Sequence, residues 1–333
     1  MNCKPVATMS RIVSCIISRM TSRTTSRISS SMSSRMMGRT TGRASTCTGW
    51  SAVRHGLLAL LGWAAMAACA QSVVEFESLD QRGGSAVMLK AFWFPAPSAA
   101  GPSPAVALFH GCGGPYDRRG QLSQRLRDYA ALLNGQGMHA LVVDSLTPRG
   151  ERELCTQRIG QRSITQANRR LDALAAVEWL AQRPDVDASR IGLLGWSNGC
   201  STVLAAINLR QRSVAAAARR PAFAVAFYPG CGAELKRGFE TRTPLLMLVG
   251  EADDWTPAAP CHELAQHSAG VAPQIEGYEG AYHAFDSTAP VRLRKDVPNG
   301  VHPGQGVHFG GQPQARAASR ERLLQFLDDP LRH

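Results

Sequence analysis

The five residues Gly195-Trp196-Ser197-Asn198-Gly199 fit the pattern G-x-S-x-G and stand where the apolar run Ile191–Trp196 meets a cluster of small residues. A serine hydroxyl is a weak nucleophile. It needs a base to take its proton, a carboxylate to orient that base, and donors for the charge that builds on the attacked carbonyl oxygen. Where a strand turns into a helix at a single serine, only small residues fit two positions before and after it, which gives Gly195 and Gly199 a purpose. A helix starting at Asn198 would also aim its free N–H groups and positive end at the serine.

The remaining groups can be sought in the chain order serine, acid, histidine that this architecture uses. The segment "VGEADDWTP" offers Asp253 and Asp254, and "EGAYHAFD" offers His283. Asp253 is preferred as the acid, with Asp254 as the alternative, and His283 is the expected base. His262 and His267 fall in a helical pattern, and His302 and His308 in a long loop. Upstream, "FHGCGGPY" (109–116) has glycines that let backbone approach a ligand. The N–H groups of Cys112 and Asn198 are the expected oxyanion donors. Arg149 is a candidate for a substrate carboxylate, and Tyr116 and Trp255 are candidate pocket walls, with core packing the competing reading for both aromatics.

These residues need a frame that brings strand ends together. Strands are predicted over 73–78, 87–94, 105–110, 139–144, 190–196, 222–230, 244–250 and 273–280, and helices over 122–137, 165–183, 198–210, 258–270 and 315–329. Short, continuously apolar strands bounded by helices imply a parallel sheet covered on both faces, here after an antiparallel opening pair. Functional groups in such a sheet gather at the carboxyl ends of the strands. In the helix over 165–183 the predicted apolar face is Leu171, Leu174, Ala175, Val177, Leu180 and Ala181. The Gly-, Pro- and His-rich stretch 286–313 reads as a lid or a surface excursion.

The net charge of +12 would suggest an anionic partner, but residues 1–70 hold nine of the 37 basic residues and no acidic one. The rest is nearly balanced and shows no basic stripe with interleaved aromatics, so no nucleic-acid partner is expected. Residues 1–52, rich in Ser, Thr, Arg and Met, read as a disordered leader with a mis-assigned start. Residues 53–70 follow as a signal peptide: Arg54 and His55, an apolar core, then Ala68-Cys69-Ala70 before Gln71. That core is too short and glycine-broken for a membrane span. Residues 71–333 form the expected catalytic domain, periplasmic or secreted. A transit peptide and a lipid anchor on Cys69 are the competing readings.

Of the nine cysteines, five follow the leader. None forms C-x-x-C or pairs with histidines at zinc spacing, so no metal is expected. In an oxidising compartment the preferred pairs are Cys112–Cys155 and Cys231–Cys261, with Cys200 unpaired. Five reduced core cysteines are the alternative.

The stretch 105–329 resembles the dienelactone hydrolase family of α/β-hydrolases in "LFHGCGG", "VDSLTPRG", "RIGLLGWSNG", "GEADDWTP" and "GAYHAFD". The resemblance implies an α/β-hydrolase fold, a mostly parallel central sheet with helices on both faces. It implies Ser197 as nucleophile, Asp253 as acid, His283 as base, and hydrolysis of a small-molecule ester or lactone without a cofactor. The name-giving enzymes carry a cysteine nucleophile and a different oxyanion loop, so a serine with "HGCGG" points toward broad carboxylesterases. An acyltransferase on the same triad and a non-catalytic binding protein on a hydrolase fold are the alternatives. The oligomeric state is not legible. N-terminal sequencing of the exported protein is expected to find nothing from residues 1–52; retention of any of them would refute the downstream start.

Overall fold

The computed structural model describes residues 71–97 and 101–332. The expected leader (1–52) and signal peptide (53–70), Cys69 included, lie outside the described residues. Eight strands form one sheet: β1 (Ser72–Arg82), β2 (Ser85–Phe94), β3 (Ser103–Phe109), β4 (His139–Asp144), β5 (Val186–Trp196), β6 (Phe223–Phe227), β7 (Leu245–Gly250) and β8 (Gln274–Tyr278). Their order is β1-β2-β4-β3-β5-β6-β7-β8. The β1–β2 and β2–β4 pairings are antiparallel and all the others parallel.

The apolar strands owe their composition to burial on both sides. Along β3, Ala105, Ala107 and Phe109 enter one core while Val106 and Leu108 enter the other. Helices α2 (Gln166–Ala181), α3 (Asn198–Ile207) and α5 (Ala259–His267) cover the first face through Ala176, Val203 and Leu264. Helices α1 (Gln124–Gly135) and α6 (Pro313–Arg332) cover the second through Leu133 and Leu323. No helix among the described residues is long and apolar enough to cross a membrane.

Three features depart from the sequence reading. In α2, Leu171 and Ala181 are only half-buried, whereas Arg169, Asp172, Ala173 and Ala176 are buried. A short helix, α4 (Gly232–Arg237), follows β6 where no element was predicted. The excursion 286–313 carries an antiparallel pair, β9 (Arg292–Arg294) with β10 (Val307–Phe309). It is tied to the body by Val301 N–H on the Asp254 carbonyl (2.8 Å) and Gly310 N–H on the His283 carbonyl (2.9 Å). The cysteines pair as Cys112–Cys155 and Cys231–Cys261, and Cys200 is buried and free. Its Sγ lies 2.8 Å from the Gly195 carbonyl, and burial pushes its thiol well up.

Arg149 has a structural partnership rather than a place beside a substrate. Its guanidinium bridges Asp80 (2.8 Å) and Asp172 (2.7 Å) and also donates to the Ser145 carbonyl (2.8 Å). At 6% exposure it joins β1, the turn after β4, and α2. The loop after a strand end can turn an arginine inward as well as outward, and two buried carboxylates decide for inward. Removing one member of such a cluster strands the others without a counter-charge. Arg149→Ala is therefore expected to cost about 3–5 kcal/mol in urea unfolding. A stable variant with a raised KM would restore a substrate role.

Candidate active site

Strand β5 turns into α3 at Ser197, whose backbone has φ 54 and ψ −117. Few residues with a side chain hold such a conformation, and strain of roughly 1–3 kcal/mol must be offset by the surroundings. The Ser197 N–H donates to the Phe227 carbonyl at the end of β6 (3.0 Å), while its own carbonyl accepts from Cys200 N–H (2.8 Å). A Cβ on Gly195 would lie 2.5 Å from the Gly199 carbonyl oxygen, and one on Gly199 would overlap the Phe109 carbonyl of β3. The two glycines therefore allow the β5–α3 crossing and its close approach to β3.

His283, in the loop after β8, places Nε2 2.9 Å from Ser197 Oγ and Nδ1 2.8 Å from Asp253 Oδ2. An ionised carboxylate can only accept, so Nδ1 carries the proton and Nε2 is left to accept from the serine hydroxyl. Asp253, after β7, is itself held: its Oδ1 accepts from the N–H groups of Trp255 (2.8 Å) and Thr256 (2.9 Å). The Trp255 ring packs 4.6 Å from the imidazole, and the Tyr228 ring meets it edge-on at 4.7 Å. Asp254 turns the other way. It accepts from the His308 N–H (2.8 Å) and lies 2.7 Å from His308 Nδ1, so it anchors β10 rather than His283.

Cys112 and Asn198 both border the cavity that reaches Ser197, and neither N–H has a backbone acceptor among the described residues. The Cys112 loop is clamped by its disulfide to Cys155 and by Leu154 N–H on the Cys112 carbonyl (2.7 Å). Within it, His110 Nδ1 lies 2.7 Å from the Gly111 carbonyl oxygen and so orients the peptide that carries the Cys112 N–H. Burial and the nearby charge of Arg169 push the His110 pKa down to about 3, so this ring is neutral at ordinary pH.

Arg169, which the sequence reading passed over, joins the Cys112 loop to the start of α3. It reaches from α2 to the His110 carbonyl (2.9 Å) and to Asn198 Oδ1 (2.5 Å), and is fully buried. Burial lowers its pKa to about 10, which leaves it cationic at neutral pH. Gln166, one turn earlier, donates to the Asn198 carbonyl (3.3 Å). The available signal was a charged residue in phase with a helix's buried face, four residues before Ala173 and seven before Ala176.

Asp286, also not singled out, lies behind the serine and histidine. It accepts from Trp196 Nε1 (3.1 Å), Tyr129 Oη (3.0 Å) and Tyr228 Oη (3.0 Å), with Arg125 Nε 3.7 Å away. Those bonds join the ends of β5 and β6 to α1. Of the expected pocket residues, Trp255 lines the cleft. Tyr116 does not face it: its ring packs edge-on against Phe92 at 5.9 Å. Burial and the adjacent Asp144 push its hydroxyl up to about 12.

Because Arg169 holds the two segments whose N–H groups are the expected oxyanion donors, Arg169→Met is expected to lower kcat for p-nitrophenyl acetate about 10- to 100-fold with KM little changed. Arg169→Lys should fall between, with thermal melts as the control for folding. A melting shift alone, with kcat intact, would make the residue structural only.

Comparison with known proteins adds the family. The model of the "Dienelactone hydrolase family" matches residues 90–330. No curated protein sequence matches the chain. Among solved structures, a Klebsiella pneumoniae protein assigned as a dienelactone hydrolase superposes with a TM-score of 0.54 at 17% identity, covering 78% of this chain and 99% of its own. The dienelactone hydrolase-like promiscuous phosphotriesterase P91 from metagenomic libraries gives 0.53 at 19%, covering 78% and 98%. The propionate-bound esterase Est2 of Thermogutta terrifontis gives 0.51 at 17%, covering 80% and 95%. At these identities the structural likeness is one of fold. The match over residues 90–330 goes further: the chain belongs to the dienelactone hydrolase family, and its enzyme class is that of the carboxylic ester hydrolases.

Proposed function

We propose that the protein hydrolyses carboxylic esters or lactones through a covalent acyl-enzyme on Ser197. The observation that carries this reading is the unbroken hydrogen-bonded line from Ser197 Oγ to His283 (2.9 Å) and from His283 to Asp253 (2.8 Å). As Oγ attacks the ester carbon, its proton passes to His283 Nε2, and the imidazolium is stabilised by Asp253. The carbonyl oxygen becomes an oxyanion and meets the N–H groups of Cys112 and Asn198, which are already oriented and need no rearrangement. On collapse Nε2 returns its proton to the departing alkoxide, which leaves as an alcohol. A water then gives a proton to Nε2 and attacks the acyl carbon, and a second collapse releases the acid and restores the serine.

A small-molecule ester is the partner in this reading. Export fits it as well, because the Cys112–Cys155 bond that clamps the donor loop persists only where thiols are oxidised. The signal peptide is the route by which the chain would reach such a compartment. The test is direct. The 71–333 chain should turn over p-nitrophenyl acetate and butyrate and take one equivalent of a fluorophosphonate probe. Ser197→Ala should abolish labelling and lower kcat by about 10⁴-fold or more. Labelling or turnover that survives Ser197→Ala would end the proposal, and turnover that climbs steeply with added alcohol would favour acyl transfer.

A further inference from the structure

Two cavities meet at Ser197. The smaller, about 280 Å³, is bounded by His283, Tyr228, Ser123, Leu126 and Phe309. The larger, about 610 Å³, is bounded by Ile164, Gln166, Gly232, Pro260 and Val301. Ser197, Cys112 and Trp255 border both. His283 borders only the smaller cavity, and Asn198 only the larger. That asymmetry has a chemical consequence, given the proposed roles of Ser197 and His283.

The tetrahedral carbon formed by serine attack carries four groups. One is Ser197 Oγ, and a second is the oxyanion, directed at the Cys112 and Asn198 N–H groups. The third is the departing oxygen, which has to lie within hydrogen-bond reach of His283 Nε2 to be protonated. The fourth, the acyl chain, takes the direction that remains. Because the imidazole opens only into the smaller cavity, the alcohol half belongs there and the acyl half belongs in the larger one.

The walls agree with that division. The smaller cavity is bordered by the Cys112–Cys155 disulfide and by Trp255, with the Arg294 guanidinium 5.4 Å from the indole ring centre. Across the serine, a Cβ on Gly232 would have nothing within 4 Å. The larger cavity has the volume of a site for a drug-sized group, and no carboxylate among the described residues borders it. Among the described residues its charged border is the half-buried Arg162, and the rest is apolar or neutral. We infer that the protein is an acyl-selective esterase whose substrates pair a bulky, largely apolar acyl group with a small alcohol, no larger than a substituted phenol.

Two ester series test this. With p-nitrophenol as the constant leaving group, kcat/KM should rise at least about tenfold from acetate to 3-phenylpropionate and 3-cyclohexylpropionate. With 3-phenylpropionic acid as the constant acid, it should fall at least about tenfold from the methyl to the decyl ester. Gly232→Phe should lower the 3-phenylpropionate-to-acetate ratio about tenfold, and Val301→Trp, on an exposed loop, provides the same readout if the first variant does not fold. Ser123→Phe should instead lower the butyl-to-methyl ratio. Flat series, the reverse rankings, or variants that each affect the opposite series would overturn the inference while leaving the hydrolase reading standing. Absence of any Ser197-dependent turnover would take both down together.

Discussion

The reversal of β5 into α3 at Ser197 is the constraint on which the rest of the structure depends. It holds a serine at φ 54, with no room for a side chain at Gly195 or Gly199. The close crossing presses α3 against the Phe109 carbonyl at the end of β3, so the strand that ends at Ser197 and the "HGCGG" loop share one rigid junction. A serine in this conformation projects its hydroxyl away from both elements. The same turn leaves the N–H of Asn198, at the start of α3, without a helical acceptor. Strain, a hydroxyl within reach of His283 and a free donor are thus three results of one backbone geometry.

Around that junction the protein is held by charge as much as by apolar packing. Asp286 gathers hydrogen bonds from the ends of β5 and β6 and from α1, so the loop that carries His283 is fastened to the strand that carries Ser197. Arg169 performs the corresponding task for the "HGCGG" loop and the start of α3 from the opposite side of the sheet. Arg149 with Asp80 and Asp172 joins the antiparallel edge to α2, the helix that carries Arg169. Buried charges are costly to leave unpaired, so each of these clusters resists small displacements more sharply than an apolar contact would. A hydrogen-bond line of 2.9 and 2.8 Å depends on that stiffness.

Much of this was legible in the residue order because local rules dictate it. Apolar runs such as 105–110 and 139–144 can be buried only as central strands, and the G-x-S-x-G spacing follows from steric exclusion at the turn. The choice between Asp253 and Asp254 was not legible. Adjacent residues after a strand point to opposite sides, and only the tertiary fold shows one carboxylate at His283 and the other at His308. The direction of Arg149, and the choice between pocket wall and packing for Tyr116, were not legible for the same reason: a loop residue's direction is decided by partners distant in the chain, here Asp80 and Asp172 for Arg149 and Phe92 for Tyr116. Arg169 and Asp286 escaped notice because a buried charge is recognisable only through the groups that satisfy it.

The amino-acid sequence by itself determined the α/β layering, the order of the strands along the chain, and the residue types available at each strand end. It did so because burial periodicity and the steric limits of a turn act over a few residues. The tertiary structure alone decided which carboxylate meets His283, which charges hold the donor loop, and how the space around Ser197 divides between His283 and Asn198. Those are matters of direction and distance between segments up to a hundred residues or more apart, and only the packing of the complete sheet and its helices sets them.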